Sequence, residues 1–131
     1  MPKLRYLIIA DTRVTDITPV TGLENLIFFE MFGSLVEDYS PLLTLTGLED
    51  LNLSYTRGDP NIVAQMTWLK RLWWRDFPGL RITLEEQQML RTALPHVEMR
   101  FDAGSSTGEG WRKGYLYFEM RDFFGMEYMT E

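Results

Sequence analysis

Apolar residues open the chain at Leu4, Leu7 and Ile9, then continue at Val14, Ile17, Val20 and Leu23. Leu7 and Ile9 are two apart, so they share one face of a short strand and leave Ile8 on the other. The later positions run in threes, the spacing of a tight helical return. One such unit cannot bury its own apolar edge, and the pattern recurs. Further starts are Leu23-x-x-Leu26-x-Phe28, Leu48-x-x-Leu51-x-Leu53-x-x-Thr56, Leu69-x-x-Leu72-x-Trp74-x-x-Phe77 and Leu94-x-x-Val97-x-Met99, at intervals of 19, 25, 21 and 25 residues. The strands stay in step while the returns vary.

Self-similarity with this period and this leucine spacing is the pattern of a leucine-rich-repeat solenoid, in which stacked coils share one core. The expectation is an α/β fold: a right-handed leucine-rich-repeat solenoid with a short-stranded parallel sheet on the concave face and helical returns on the convex face. Residues 1–102 hold about five repeat strands, and 103–131 form a C-terminal loop and aromatic cap. Residues 83–94 carry the clearest helix: Thr83 with Glu86 makes a capping-box pattern, Leu84, Leu90, Ala93 and Leu94 can share a face, and Pro95 stops it. Ser40-Pro41 and Asp59-Pro60 mark further returns, with Ser40 or Asp59 as cap and Pro at the first helical position. At the turn after each strand, where a polar side chain can hold neighbouring backbone, this phase gives Thr12, Met31, Thr56, Phe77 and Asp102. Met and Phe cannot accept that role, so a broken polar ladder is expected.

Composition narrows the function classes. The 131 residues are 45% hydrophobic, enough for one domain with a core. No apolar run reaches membrane-spanning length, and Met1-Pro2-Lys3 does not open a signal peptide. A net charge of −6, with acids and bases interspersed, disfavours nucleic acid as a partner. The absence of cysteine removes thiolate metal sites and cysteine nucleophiles. His96 is the only histidine, no serine lies in a nucleophile-elbow context, and the glycine-rich stretch 104–110 lacks the lysine and hydroxyl of a phosphate loop. Nothing calls for a cofactor or metal, and no enzyme is expected.

The residues between the core positions form a concave grid: Tyr6, Ile8 and Ala10; Asn25, Ile27 and Phe29; Asp50, Asn52 and Ser54; Arg71, Trp73 and Arg75; His96, Glu98 and Arg100. Candidate ligand-binding residues are Tyr6, Ile8, Ile27, Phe29, Asp50, Asn52, Arg71, Trp73, Arg75 and Glu98, since aromatic and Arg side chains dominate binding hot spots. The opposing reading is that Trp73 and Phe29 pack on each other or under the tail. Of Trp73-Trp74, the second belongs to the core, because adjacent strand residues face opposite ways. Arg57-Gly58-Asp59, a tripeptide that integrins read, has ordinary turn and cap duties here. Asn52-Leu53-Ser54 matches a glycosylation acceptor but falls inside a strand.

From Ala103 to Gly110 the chain reads as a loop, followed by Trp111, Tyr115, Tyr117, Phe118, Phe123, Phe124 and Tyr128, an aromatic load suited to covering an open solenoid end. With this tail the repeats resemble bacterial leucine-rich-repeat proteins of the internalin-like type. Residues 106–112, 117–122 and 125–129 look like the terminal segment of surface leucine-rich-repeat proteins of gut Firmicutes. The resemblance implies an extracellular or cell-surface setting. The function expected is a non-enzymatic module that recognises a protein or peptide through its concave face. The alternatives are an architectural C-terminal segment of a longer surface protein and, more remotely, an enzyme acting on wall carbohydrate. The first coil, with Leu7, Ile9, Val14 and Ile17 on an open flank and an unpaired strand edge, is expected to support a homodimer.

Overall fold

The computed structural model describes residues 3–9, 12–31, 33–74, 82–101 and 119. Five strands, β1 (Tyr6–Ile8), β2 (Phe28–Glu30), β3 (Asp50–Asn52), β4 (Arg71–Trp73) and β5 (Glu98–Arg100), form one parallel sheet in sequence order. Each strand is three residues long and pairs in full with its neighbours. Sequential order with parallel pairing requires each connection to cross behind the sheet and return, which is the coil of a solenoid. The fold is the leucine-rich-repeat solenoid expected from the spacing.

The register fixes the phase of each coil. Leu7 pairs with Phe29, Phe29 with Leu51, Leu51 with Leu72, and Leu72 with Met99. The second coil therefore reads Leu26-x-x-Phe29-x-Met31, three residues later than the sequence start at Leu23. Leu26, Phe29 and Met31 lie in the core, and Phe28 turns to the other face. The error has a clear origin. Leu26-Ile27-Phe28-Phe29 is apolar at four consecutive positions and so fits either parity of a strand. Leu23 instead closes a turn, its carbonyl accepting the Leu26 N–H at 3.1 Å. The fifth coil shifts by two, to Met99 and Phe101, which leaves its parity unchanged.

In the corrected phase the turn position of the second coil is Ser34 rather than Met31, and Thr12, Ser34 and Thr56 form a polar ladder through the first three coils. Thr12 Oγ1 donates to the Ile9 carbonyl at 2.7 Å, and Thr56 Oγ1 donates to the equivalent Leu53 carbonyl. Ser34 is buried at the same place, its N–H bonded to the Met31 carbonyl, but its hydroxyl has no hydrogen-bond partner among the described residues. The corrected register thus restores a polar residue at the second turn but not the side-chain bond that Thr12 and Thr56 make. Phe77 and Asp102 lie outside the described residues.

The returns repeat one device. Carboxylates of Asp16, Asp38 and Asp59 accept the backbone N–H two residues on, from Thr18, Ser40 and Asn61, at 2.8–2.9 Å. These bonds open a tight 3-10 turn at Thr18–Val20, another at Ser40–Thr44, and the short helix α1 (Pro60–Val63), each with proline in its first two positions. Hydrogen bonding to the ionised form holds the Asp16 and Asp38 carboxyls below the usual carboxylate range. Asp59 caps α1 as expected, whereas Asp38 rather than Ser40 serves the second return. Helix α2 (Leu84–Ala93) has the complete Thr83–Glu86 capping box. Its buried side is carried by Leu90, with Leu94 just beyond; Leu84 is 82% exposed and Ala93 also faces out, against the shared face expected. Leu84 sits six residues before Leu90, about 120° away around the helix.

The core is a single cluster from Ile17 to Phe101 that runs between sheet and returns. Ile17 is fully inside it, so the open flank of the first coil is limited to half-buried Leu7, Ile9 and Val14. Trp74 packs edge-on against Tyr39 at 5.7 Å. The Tyr39 hydroxyl bonds Thr56 Oγ1, and burial pushes its ionisation up to about 12.

Candidate functional site

Alternation along three-residue strands sends the middle residue of each to the core and the two outer ones to the concave face. The register aligns these into two rows: Tyr6, Phe28, Asp50, Arg71 and Glu98; and Ile8, Glu30, Asn52, Trp73 and Arg100. Of the expected ligand-binding residues, the structure brings Tyr6, Ile8, Asp50, Asn52, Arg71, Trp73 and Glu98 together on this face. Phe29 is a correction: it is a core residue between Leu7 and Leu51. Ile27 precedes β2 and packs half-buried against the concave aromatics. Asn25 is exposed before the strand, and Ser54 is buried after β3. Ala10 and Arg75 lie outside the described residues. The shifted second coil brings in Phe28, expected in the core, and Glu30, which the expected grid did not include.

The face divides into an aromatic and an ionic half. Tyr6, Phe28 and Trp73 form a buried cluster, with Tyr6 and Phe28 edge to face at 6.2 Å. Trp73 is on the face expected of it and 3% exposed, packed with Tyr6 and Phe28 rather than with Phe29, which is in the core. In the ionic half, Arg71 Nε donates to Asp50 Oδ1 at 2.6 Å, and Glu49 Oε1 lies 3.9 Å from Arg71 and 3.4 Å from Lys70. Asp50 is buried. Desolvation outweighs the Arg71 charge and pushes its carboxyl up to about 6, with the Glu49 and Glu98 charges adding to the rise. Asn52 is fully buried: its Oδ1 accepts the Ser54 N–H at 3.0 Å, and its Nδ2 has no hydrogen-bond partner among the described residues. Ile8, 45% exposed, and the exposed Glu98 and Arg100 mark the two accessible edges.

The remaining sequence motifs have structural roles. Asp59 is the α1 cap, and a Cβ on Gly58 would overlap the Tyr39 ring, so Arg57-Gly58-Asp59 is held by packing. His96 does not join the concave rows; its Nε2 lies 2.7 Å from the Thr67 carbonyl in the turn before β5. Among the described residues no group of three His, Asp or Glu side chains is placed to hold a metal ion, and no helix is long and apolar enough to cross a membrane. A depression of about 390 Å³ lies beside the start of β1, lined by Lys3, Arg5, Glu24, Asn25 and Ile27.

No family model and no curated protein sequence matches this chain. Among solved structures it is similar to an internalin, inlF, of Listeria monocytogenes, with a TM-score of 0.57 and 21% identity over 80% of this chain and 32% of that one. Internalin C2 of the same organism gives a TM-score of 0.57 and 20% identity over 83% of this chain and 49% of that one. The chain therefore spans less than half the length of either. At this identity the likeness is one of fold.

Proposed function

We propose that this chain is a non-enzymatic recognition module that engages a protein or peptide through the concave face of its solenoid. The observation that carries the reading is the Asp50–Arg71 pair, set with Asn52 on the sheet face opposite the core. Burying these groups opposes folding, as the raised Asp50 carboxyl records, and well-packed apolar residues serve stability as well or better. Costly polar groups beside an aromatic cluster suit a surface selected for what it contacts. The cell-surface setting belongs to the same reading and rests on the resemblance of the tail to surface proteins of gut Firmicutes and on the internalin-like fold. Self-association through β1 is also part of it, since β1 is an edge strand with Ile8 exposed.

The test uses exposed concave residues whose replacement spares the core. The immobilised full chain is compared with Glu98→Arg, Arg100→Glu and, on the convex side, Glu37→Arg for capture of surface and secreted proteins. A protein ligand retained by the wild type and Glu37→Arg but lost by the two β5 variants supports the reading. Equal retention by all four overturns the assignment of this face.

A further inference from the structure

Beyond the strands, the turns of the first three coils are not equivalent. Thr12 and Thr56 use their hydroxyls to hold the strand-end carbonyls of Ile9 and Leu53. Ser34, at the same position in the second coil, is 3% exposed, and its Oγ has no hydrogen-bond partner among the described residues. A buried hydroxyl without a partner opposes folding, so its retention calls for a reason. The position just before it carries a second irregularity. Gly33 takes φ 70°, a conformation open to glycine, whereas its counterpart Tyr55 takes φ 60° with a full side chain. A bulky residue is held there against its own backbone preference, a form of strain that gathers at ligand sites.

Both irregularities border one depression of about 360 Å³. It lies past the carboxyl ends of β1, β2 and β3, and its described lining, Thr15 with the runs 34–37 and 55–57, includes no residue of the two concave rows. Ser34, Val36 and Thr56 are buried and form its floor. Leu35, 56% exposed, and half-buried Tyr55 supply apolar wall. Glu37 and Arg57 are exposed and opposite in charge, and among the described residues neither makes an ion pair.

This lining selects a kind of ligand. One acid and one base leave it without net charge, which removes the electrostatic reason to take a simple anion or cation. A carboxylate only accepts and a guanidinium only donates, while the hydroxyls of Ser34 and Thr15 do both. Serving all of them takes neutral groups that both donate and accept, together with an apolar face for Tyr55 and Leu35. A pyranose ring has hydroxyls around its rim and C–H groups on its faces. A zwitterionic amino acid also answers the two charges, and is the rival to be separated by experiment.

We infer that this depression is a carbohydrate subsite for one neutral pyranose residue, with Tyr55 against the ring face, Glu37 and Arg57 on its outer hydroxyls, and Ser34 beneath it. The site is distinct from the concave face, and the inference does not rest on the recognition reading above.

The experiment titrates the full chain, labelled with nitrogen-15 and in its methyl groups, up to tens of millimolar sugar and follows it by NMR. The probes are methyl β-glucopyranoside, methyl α-mannopyranoside, methyl β-galactopyranoside and N-acetylglucosamine, with glycine and leucine as the zwitterions. At least one pyranoside should give saturable shifts of the Leu35 methyls and the Ser34, Tyr55 and Arg57 amides, with the Ile8 methyls unmoved. Ser34→Ala removes only the partnerless hydroxyl and should weaken binding about fivefold without lowering the thermal midpoint. Tyr55→Gly suits the backbone conformation that Gly33 already shows, and should weaken binding about tenfold. If Tyr55→Gly loses its dispersed spectrum, Ser34→Ala decides alone. Wild-type affinity in the folded variants overturns the site. Absence of saturable shifts with all four sugars, or saturation by glycine or leucine at lower concentration than by any sugar, overturns the ligand class.

Discussion

Asp50→Asn isolates the competition between burial and charge at the centre of the concave face. Burial pushes the Asp50 carboxyl from 3.8 to about 6, despite Arg71 Nε at 2.6 Å. A carboxyl raised in the folded state binds its proton more tightly there than in the unfolded chain. Its contribution to stability is therefore fully present below pH 3.8 and is lost as pH rises towards about 6. At 1.36 kcal/mol per pKa unit the loss is on the order of 3 kcal/mol. Asp50→Asn keeps the shape, removes the titration, and leaves Arg71 without its nearest counter-charge at every pH. The level of its stability is thus less informative than the slope. Urea unfolding of both proteins at pH 4, 5, 6 and 7 gives the difference directly, and the titrations of Asp16 and Asp38 cancel in it. The stability of the wild type relative to the variant should fall from pH 4 to pH 6 and then level off. A difference that rises with pH would show that Arg71 stabilises the carboxylate more than burial penalises it, and the reasoning would fail.

Leu51→Ala should cost about 2–5 kcal/mol in urea unfolding, because Leu51 is fully buried on the central strand between Phe29 and Leu72. Glu49→Ala, two positions before it and paired at the surface with Lys70 and Arg71, should cost no more than about 1 kcal/mol. Equal midpoints for these two variants would contradict the phase of the third coil. Thr83→Ala removes the capping box of α2 and should cost about 1 kcal/mol, read from the thermal midpoint by circular dichroism. Gly58→Ala should lower stability more than Thr83→Ala, since its Cβ would meet the Tyr39 ring; an unchanged midpoint would mean that the ring has room to move.

Much of the fold was legible because coils three and four alternate cleanly. Asp50 and Asn52 flank Leu51 and Arg71 precedes Leu72, so the charged and amide positions mark which parity faces the core. The second coil lacked that contrast, with four apolar residues in a row. Two cues in the sequence resolve it. Starting the coil at Leu26 gives intervals of 22, 22 and 21 residues from Leu4 to Leu69, and it puts Ser34 in line with Thr12 and Thr56. All of the two concave rows except Phe28 and Glu30 followed from strand alternation. The Tyr6–Glu119 contact did not, because it joins residues 113 positions apart and no local pattern encodes such a pairing.

The central claim, recognition through the concave face, is tested most directly by mapping a captured protein ligand onto the chain by NMR, following the Ile8 methyls and the Trp73 indole N–H. Ile8 lies on the accessible edge of this face, while Leu35 and Leu84 are the other large exposed apolar residues and lie away from it. Addition of the ligand should shift Ile8 and Trp73 and leave the methyls of Leu35 and Leu84 where they were. Shifts confined to Leu35 and Leu84, with Ile8 and Trp73 unmoved, would contradict it.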